Sequence, residues 1–203
     1  PPAASEVTVP PGFYTDAASI WDALTRCHGG VAEVQLVRGS WLKEYAKTGK
    51  PLPRRQDLEK QVPEAFIDVA ELRALETGSK GQLPLLAVSY AWETPDHPDP
   101  RAEQLAALVE VLRMEQSRGG DRSLPAEVGV FFDWVSLCQR DADGQRSVDE
   151  RAAFDGALSQ MQLWYAHALT TVYLLTARTP SAAALPEGER PTAYEERGWS
   201  TFE

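Results

Sequence analysis

The chain has 203 residues and a formal net charge of −10, with 43% hydrophobic and 25% charged residues. This size and balance predict one soluble globular domain, or one domain with a small appendage, that buries a hydrophobic core. The acidic charge opposes binding to nucleic acid, because that binding depends on Lys and Arg displacing counterions from phosphates. We therefore expect no nucleic-acid partner.

Cysteine usage and hydropathy indicate the compartment. The two cysteines, Cys27 and Cys138, lie far apart in the sequence. They do not indicate a disulfide framework or a zinc knuckle, and they favour a reducing, cytoplasmic setting. No apolar run approaches the roughly 20 residues that cross a bilayer, and no signal segment opens the chain, so we expect no membrane partner.

The sequence starts at Pro1 without Met and stops at what reads as the beginning of a helix, which predicts an excised domain or fragment.

The first 82 residues give mixed signals. Residues 1–12 are rich in proline and predict an extended tail. Residues 13–82 predict an N-terminal extension of mixed structure. It contains a helix in FYTDAASIWDALTRCHGG that ends at the paired glycines, a strand in VAEVQLV, and a helix capped by Ser40 that ends near Gly49. The segment AFIDVAELRAL fits either a helix or a strand.

The segment 83–203 carries a clearer alternation. Three apolar runs are typical of strands buried on both faces of a parallel sheet: LPLLAVSYAW (83–92), EVGVFFDW (127–134) and LTTVYLLT (169–176). An apolar stripe predicts a helix from Arg101 to about Ser117, and the S-x-x-E spacing at Ser147 predicts the capped start of a second helix. Alternating strands and helices predict right-handed βαβ crossovers.

Candidate site residues follow these strands, because ligands of an open parallel sheet bind outside the carboxyl ends of its strands. Several residues after the first two strands could contact a ligand: Ser89, Tyr90, Trp92, Glu93, Asp96, His97, Asp133, Trp134, Ser136, Cys138, Gln139 and Arg140. Some have structural interpretations too, since Asp133 can cap a turn and Cys138 can be a buried, inert thiol. His97, Asp96 and Asp99 lie in one loop without a second ligand cluster, so we predict no metal site.

Several common motifs are missing from the sequence. Neither G-x-G-x-x-G nor G-x-x-x-x-G-K-[ST] occurs, so Rossmann-type and P-loop phosphate binding are unsupported. Ser136 lacks a G-x-S-x-G elbow, which argues against a hydrolase triad. Trp164 and Tyr165 lie at helical spacing from Met161, which favours core packing over a platform for stacking a base.

Four segments, in order, resemble the HET (heterokaryon-incompatibility-like) domain. AVSYAW resembles "LSYxWG", VFFDWVSLCQRD resembles "WIDxxCINQxD", DERAAFDGALSQMQLWYAHALTTVYLL resembles "ExxxQvxxMxxIYxxAxxVxxxL", and RGWSTFE resembles "RxWTxQE". The match covers about residues 84–203 and leaves 1–82 unexplained. HET domains are similar to TIR domains. The resemblance implies an α/β fold of flavodoxin-like (TIR-like) type, a three-layer sandwich with a mainly parallel sheet. The N-terminal α+β extension read from the residue pattern precedes this core. The resemblance also implies that the C-terminal part of the fold is missing after residue 203.

The same resemblance implies an activity. In TIR enzymes that cleave NAD, the catalytic glutamate lies in a W-x-x-x-E arrangement after the third strand, and Trp199 and Glu203 have that spacing. Glu203 is thereby implied as the catalytic residue of an NAD nucleosidase, with NAD as substrate rather than cofactor. One carboxylate can suffice, because the cationic nicotinamide leaves without a proton and the transition state resembles an oxocarbenium ion. The implied substrate-binding residues are Ser89, Tyr90, Trp92, Asp133, Trp134, Arg140, Arg197 and Trp199, with Tyr90 and Trp92 as an aromatic wall and Arg140 or Arg197 on the phosphates.

Other interpretations remain open. Glu203 also fits an acid favoured at a helix start, with Trp199 as a hydrophobic anchor. A non-enzymatic module for self-association and signalling, as in innate immunity, fits as well, because Glu93 replaces the family's glycine and Phe202 its glutamine. A third interpretation is a nucleoside-processing transferase that uses the same kind of carboxylate.

Overall fold

The structure is a computed structural model that describes residues 10–74, 84–118 and 124–194. Short helices and strands alternate along these residues. In chain order they are α1 (Ala17–Thr25), β1 (Cys27–His28), β2 (Val31–Ala32), β3 (Leu36–Arg38), α2 (Gly39–Tyr45), α3 (Arg55–Gln61), β4 (Phe66–Ile67), α4 (Val69–Ala74), β5 (Leu85–Tyr90), α5 (Glu103–Ser117), β6 (Gly129–Phe131), α6 (Asp133–Ser136), α7 (Val148–Ser159), α8 (Met161–Ala166), β7 (Thr171–Leu175) and α9 (Pro180–Ala184). Each helix among the described residues is too short or too polar to span a bilayer.

The main sheet has five strands of mixed direction. Their order is β4–β3–β6–β5–β7. β5 pairs in parallel with both β6 and β7, which confirms the parallel arrangement predicted from the three apolar runs. β3 pairs antiparallel with β6 and with β4. The segments 13–82 and 83–203 therefore contribute strands to the same sheet.

Helices cover both faces of this sheet. Successive side chains of a strand point to opposite faces, and β5 shows this alternation with every residue buried. Leu86 and Val88 belong to a hydrophobic cluster with Leu105 of α5. Ala87 belongs to a second cluster, together with Trp164 of α8. Burial on both faces explains why β5 reads as a continuous apolar run.

Side chains cap the N-termini of two helices that follow loops at the sheet edge. The Asp99 carboxylate accepts hydrogen bonds from the backbone N–H groups of Glu103 and Leu105, both at 2.8 Å, and so caps α5. Helix α7 begins on the predicted capping box, in which Ser147 and Glu150 each bond the backbone N–H of the other. Both loops therefore end at fixed points.

Other boundaries differ from the sequence predictions. α1 ends at Thr25, and the paired glycines that were expected to end it instead form the turn between β1 and β2, where Gly29 and Gly30 have φ of +55° and +86°. Ser40 lies inside α2 rather than capping it, and its hydroxyl donates to the carboxylate of Glu127. The predicted end near Gly49 is confirmed, since this residue terminates a short 3-10 helix in the left-handed conformation.

Four segments divide where the pattern suggested one element. VAEVQLV contains both β2 and β3, and AFIDVAELRAL contains a strand followed by a helix. The helix that begins at Ser147 breaks at Gln160, whose φ and ψ are −122° and 17°. The run EVGVFFDW stops being a strand at Phe131, because the next residues turn into α6.

Candidate functional site

A cleft of about 990 Å³ opens at the carboxyl ends of β5 and β6. Six residues predicted to bind substrate line it: Ser89, Tyr90, Trp92, Asp133, Trp134 and Arg140. The other three predicted site residues, Arg197, Trp199 and Glu203, lie outside the described residues. The fold thus brings two strand ends, separated by more than forty residues in sequence, into one concave surface.

Asp133 joins the two strand ends. It is the first residue of α6, and its carboxylate accepts hydrogen bonds from the Tyr90 hydroxyl and, at 3.2 Å, from the Trp92 indole N–H. Burial and the charge of Asp133 raise the pKa of Tyr90 well above its usual value, so the phenol remains a donor. Asp133 is partly exposed and lines the cleft.

Aromatic packing fixes the residues around Asp133. The Tyr90 ring stacks on Phe132 with centroids 4.3 Å apart, and Trp134 meets Trp92 edge-on at 5.6 Å. The indole N–H of Trp134 donates to the carbonyl of Leu52 at 2.9 Å. This bond connects Trp134 to the N-terminal segment. Buried aromatic contacts of this kind restrict side-chain rotation.

Ser89 brings the end of the described chain to the cleft. Its hydroxyl lies 2.6 Å from the hydroxyl of Tyr194, and both side chains are buried. Tyr194 lines the cleft as well. The segment that precedes Arg197 therefore reaches this site.

One side of the cleft is apolar. It consists of Phe154, Leu158, Met161 and Tyr165, which follow one another at the spacing of a single helix face across α7 and α8. Trp164 is buried in the core as predicted, with 1% exposure. Tyr165 packs against the same core cluster and also lines the cleft, and its hydroxyl donates to the carbonyl of Val88 at 3.3 Å.

Three arginines, Arg54, Arg140 and Arg146, also line the cleft. Arg54 donates to the Asp57 carboxylate and, at 2.8 Å, to the backbone carbonyl of Arg140. Arg146 donates through Nε to the carbonyl of Cys138 at 2.8 Å. Arginine side chains suit phosphate groups, because their N–H donors form bidentate hydrogen bonds.

Asp96 and Gln139 also line the cleft, whereas His97, Asp99 and Glu93 have structural partners. Nδ1 of His97 accepts from the backbone N–H of Asp99, which indicates that Nε2 donates to the Leu52 carbonyl at 3.0 Å. Asp99 caps α5, and Glu93 accepts from Thr179 at 2.6 Å, outside the cleft. Over the described ranges, no cluster of three or more His, Cys, Asp or Glu side chains is arranged to hold a metal ion.

Ser136 and Cys138 are not exposed for nucleophilic attack. The Ser136 hydroxyl accepts from the backbone N–H of Phe132 at 3.0 Å and is fully buried. Cys138 is buried, and burial raises the pKa of its thiol. A thiol with a raised pKa carries little thiolate near neutral pH, so the inert interpretation of Cys138 fits the structure.

No protein-family model, curated protein sequence or solved structure matches this chain.

Sequence reasoning missed Arg54, Arg146 and the apolar wall. The wall was missed because a helix face that packs on a core and one that lines a cleft share the same period. A signal for Arg146 does exist in QRDADGQR, where Asp and Gly favour a tight turn and an arginine stands on either side. If this turn closes, the backbone positions of the two arginines lie close together.

Proposed function

We propose that this chain is a HET/TIR-like effector domain that cleaves the N-glycosidic bond of NAD or a related nucleotide, in a cytoplasmic immune or stress pathway. The observation that carries the proposal is the cleft itself. An anchored carboxylate at Asp133, an apolar wall and a row of arginines converge there, at the carboxyl edge of parallel strands. The proposed flavodoxin-like, TIR-like fold is supported by the parallel order β6–β5–β7 and by helices on both faces.

The proposed reaction needs water and no additional cofactor. The bond between the ribose C1′ and the nicotinamide nitrogen breaks, and its electron pair stays on that nitrogen, which neutralises the pyridinium. Water adds to the oxocarbenium-like carbon and releases one proton. The products are nicotinamide and ADP-ribose. Because nicotinamide departs as a neutral molecule and needs no proton, a carboxylate that stabilises positive charge on the ribose is the main requirement.

Roles follow from position and from the resemblance. Asp133, oriented by Tyr90 and Trp92, binds the ribose hydroxyls, and Arg140 and Arg197 contact the phosphates. Glu203 stabilises the oxocarbenium-like state. Tyr194 lies at the cleft and precedes Glu203 by nine residues, a length of chain that reaches up to about 30 Å, so the carboxylate can approach the ribose. Trp199 and Trp134 complete the aromatic surroundings.

Nicotinamide release by purified protein tests the proposal. We expect turnover by the parent chain, loss of turnover in Glu203→Gln, and a marked decrease in Asp133→Asn. Asp143→Asn is the matched control for Asp133→Asn, because Asp143 is exposed and does not line the cleft. An oligomer-competent preparation without turnover, or a Glu203→Gln variant as active as the parent, would reject the enzyme.

A non-enzymatic, self-associating module of the same fold is the second candidate. The observation that favours it is β7, which forms one edge of the sheet as described and exposes 51% of Leu174. Edge strands pair readily with a second chain. Assembly that depends on protein concentration and is weakened by Leu174→Lys, with no heat of NAD binding in calorimetry, would favour this candidate over the enzyme.

A further inference from the structure

The loop between α6 and α7 closes on itself and brings two arginines together. The backbone N–H of Asp141 donates to the carbonyl of Gln145 at 2.8 Å, and Gly144 takes φ of +74° inside the turn. The Asp141 carboxylate also accepts from the backbone N–H of Gln145 at 2.7 Å. Arg140 and Arg146 immediately flank this closed turn, so their backbone positions are close in space. Both residues line the cleft.

The base of this loop is held by α3. The carbonyl of Arg140 accepts from Arg54 at 2.8 Å. Both backbone groups of Gln139 are paired with the side-chain amide of Gln56, at 2.7 and 3.0 Å. Side chains of another segment therefore fix the backbone that carries Arg140.

The Arg146 guanidinium is held on two sides. It lies 3.6 Å from the centroid of the Phe154 ring, and its Nε bonds the carbonyl of Cys138. Its two terminal nitrogens make no hydrogen bond to another described residue. A guanidinium that is stacked on a ring and fixed at Nε presents its terminal N–H groups as a preorganised fork.

The charge of the pair is not neutralised by a direct contact. Within the described ranges, neither Arg140 nor Arg146 has a carboxylate oxygen within 4.0 Å. Burial lowers the pKa of Arg146, and the positive charges of Arg140 and Arg151 lower it further, while Cys138 and Asp155 raise it. Holding like charges together is unfavourable, and an anion between them would remove that repulsion.

We infer that Arg140 and Arg146 form the phosphate-binding end of the cleft, and that the ligand is a nucleotide with a phosphate or pyrophosphate group rather than a free nucleoside. The inference rests on the proposed function for the nucleoside part of that ligand, whose ribose would lie at Asp133. It adds Arg146 as a specificity-determining residue. It also separates this chain from a nucleoside-processing transferase, whose substrates carry no phosphate.

Calorimetric binding tests the inference independently of turnover, with ADP-ribose and adenosine as ligands of the full chain. ADP-ribose is expected to bind at least about 100-fold more tightly than adenosine, with an affinity that falls as salt rises. Arg140→Gln and Arg146→Gln should each weaken ADP-ribose binding about 10- to 100-fold, as expected when a hydrogen bond to a charged group is lost, and should leave adenosine binding unchanged. Arg151→Gln is the matched control, because Arg151 is an exposed arginine of the neighbouring helix that does not line the cleft.

The outcomes separate this inference from the proposed hydrolysis. ADP-ribose binding that depends on Arg140 and Arg146, without nicotinamide release from NAD, would support the phosphate site and reject the hydrolase. Nicotinamide release that is unchanged in the Arg140→Gln/Arg146→Gln double variant would overturn the phosphate site and leave the hydrolase intact. Equal affinities for adenosine and ADP-ribose would also overturn it. Arg140 is exposed, so its single variant tests the inference even if Arg146→Gln does not fold.

Discussion

Arg55 links α3 to the backbone beneath the cleft, and we expect its removal to be strongly destabilising. Its side chain is 1% exposed. Nε donates to the Glu59 carboxylate at 2.9 Å, and Nη1 donates to the carbonyls of Glu33 and Ser136, each at 3.2 Å. Arg55→Met keeps most of the apolar volume but removes all three bonds.

The expected loss follows from what stays buried afterwards. The Ser136 carbonyl retains a bond from the backbone N–H of Gln35 at 3.0 Å, whereas Arg55 is the described donor to the Glu33 carbonyl. Breaking a buried ion pair costs about 3–5 kcal/mol, and an unpaired buried carbonyl costs about 1–3 kcal/mol. Glu59 is 31% exposed and can be rehydrated, so we expect the lower end, about 3 kcal/mol.

Urea unfolding of Arg55→Met and Arg54→Met measures this difference. Arg54 is the matched control, because it is the adjacent arginine but is 28% exposed, and water can replace both its ion pair with the 35% exposed Asp57 and its bond to the carbonyl of the exposed Arg140. Its loss should cost under about 1 kcal/mol. The m-value should stay constant, so that the midpoints report stability. A loss below about 1 kcal/mol for Arg55→Met, or equal losses for the two variants, would refute the reasoning.

Three further predictions concern the cleft, a helix cap and the thiols. Tyr90→Phe removes one of the hydrogen bonds that orient Asp133 and should lower the free energy of unfolding by about 1.5 kcal/mol, because the acceptor is charged; an unchanged urea midpoint would contradict this. Ser147→Ala removes the α7 cap and should cost about 1 kcal/mol, measured in the same way, and a stability equal to the parent's would count against the capping box. At pH 8 a thiol reagent should modify the exposed Cys27 quickly and Cys138 only after unfolding, because Cys138 is fully buried and the same burial raises the pKa of its thiol. Equal rates for both thiols in the native protein would contradict burial of Cys138.

The sequence predicted the elements whose signals are local or fully buried. The runs that contain β5 and β6 are continuous and apolar because every residue of these strands is buried, and that burial made them recognisable. The run of β7 is also apolar, although this strand lies at the sheet edge and is only partly buried. The capping box at Ser147 depends on residues three apart, so it too could be located. The strands β3 and β4 are short and pair antiparallel at one side of the sheet, and their sequence pattern did not reveal that pairing.

The candidate site was partly predictable for the same reason. Ser89 and Tyr90 end β5 and Asp133 comes shortly after β6, so the rule that ligands bind at carboxyl strand ends pointed to them. Arg54 could not be found in this way, because it directly precedes α3 in the N-terminal segment and contacts a loop distant in sequence.

The sequence by itself therefore determined the alternation of strands and helices, the parallel core and the acid at the end of β6. These features depend on burial and spacing within short segments, which the order of residues records directly. The tertiary structure decided that Tyr90 and Trp92 both bond Asp133, that Tyr165 faces a cleft as well as the core, and that Arg140 stands beside Arg146. Those relations depend on how distant segments pack and on how one turn closes, and such contacts have no local signature in the sequence.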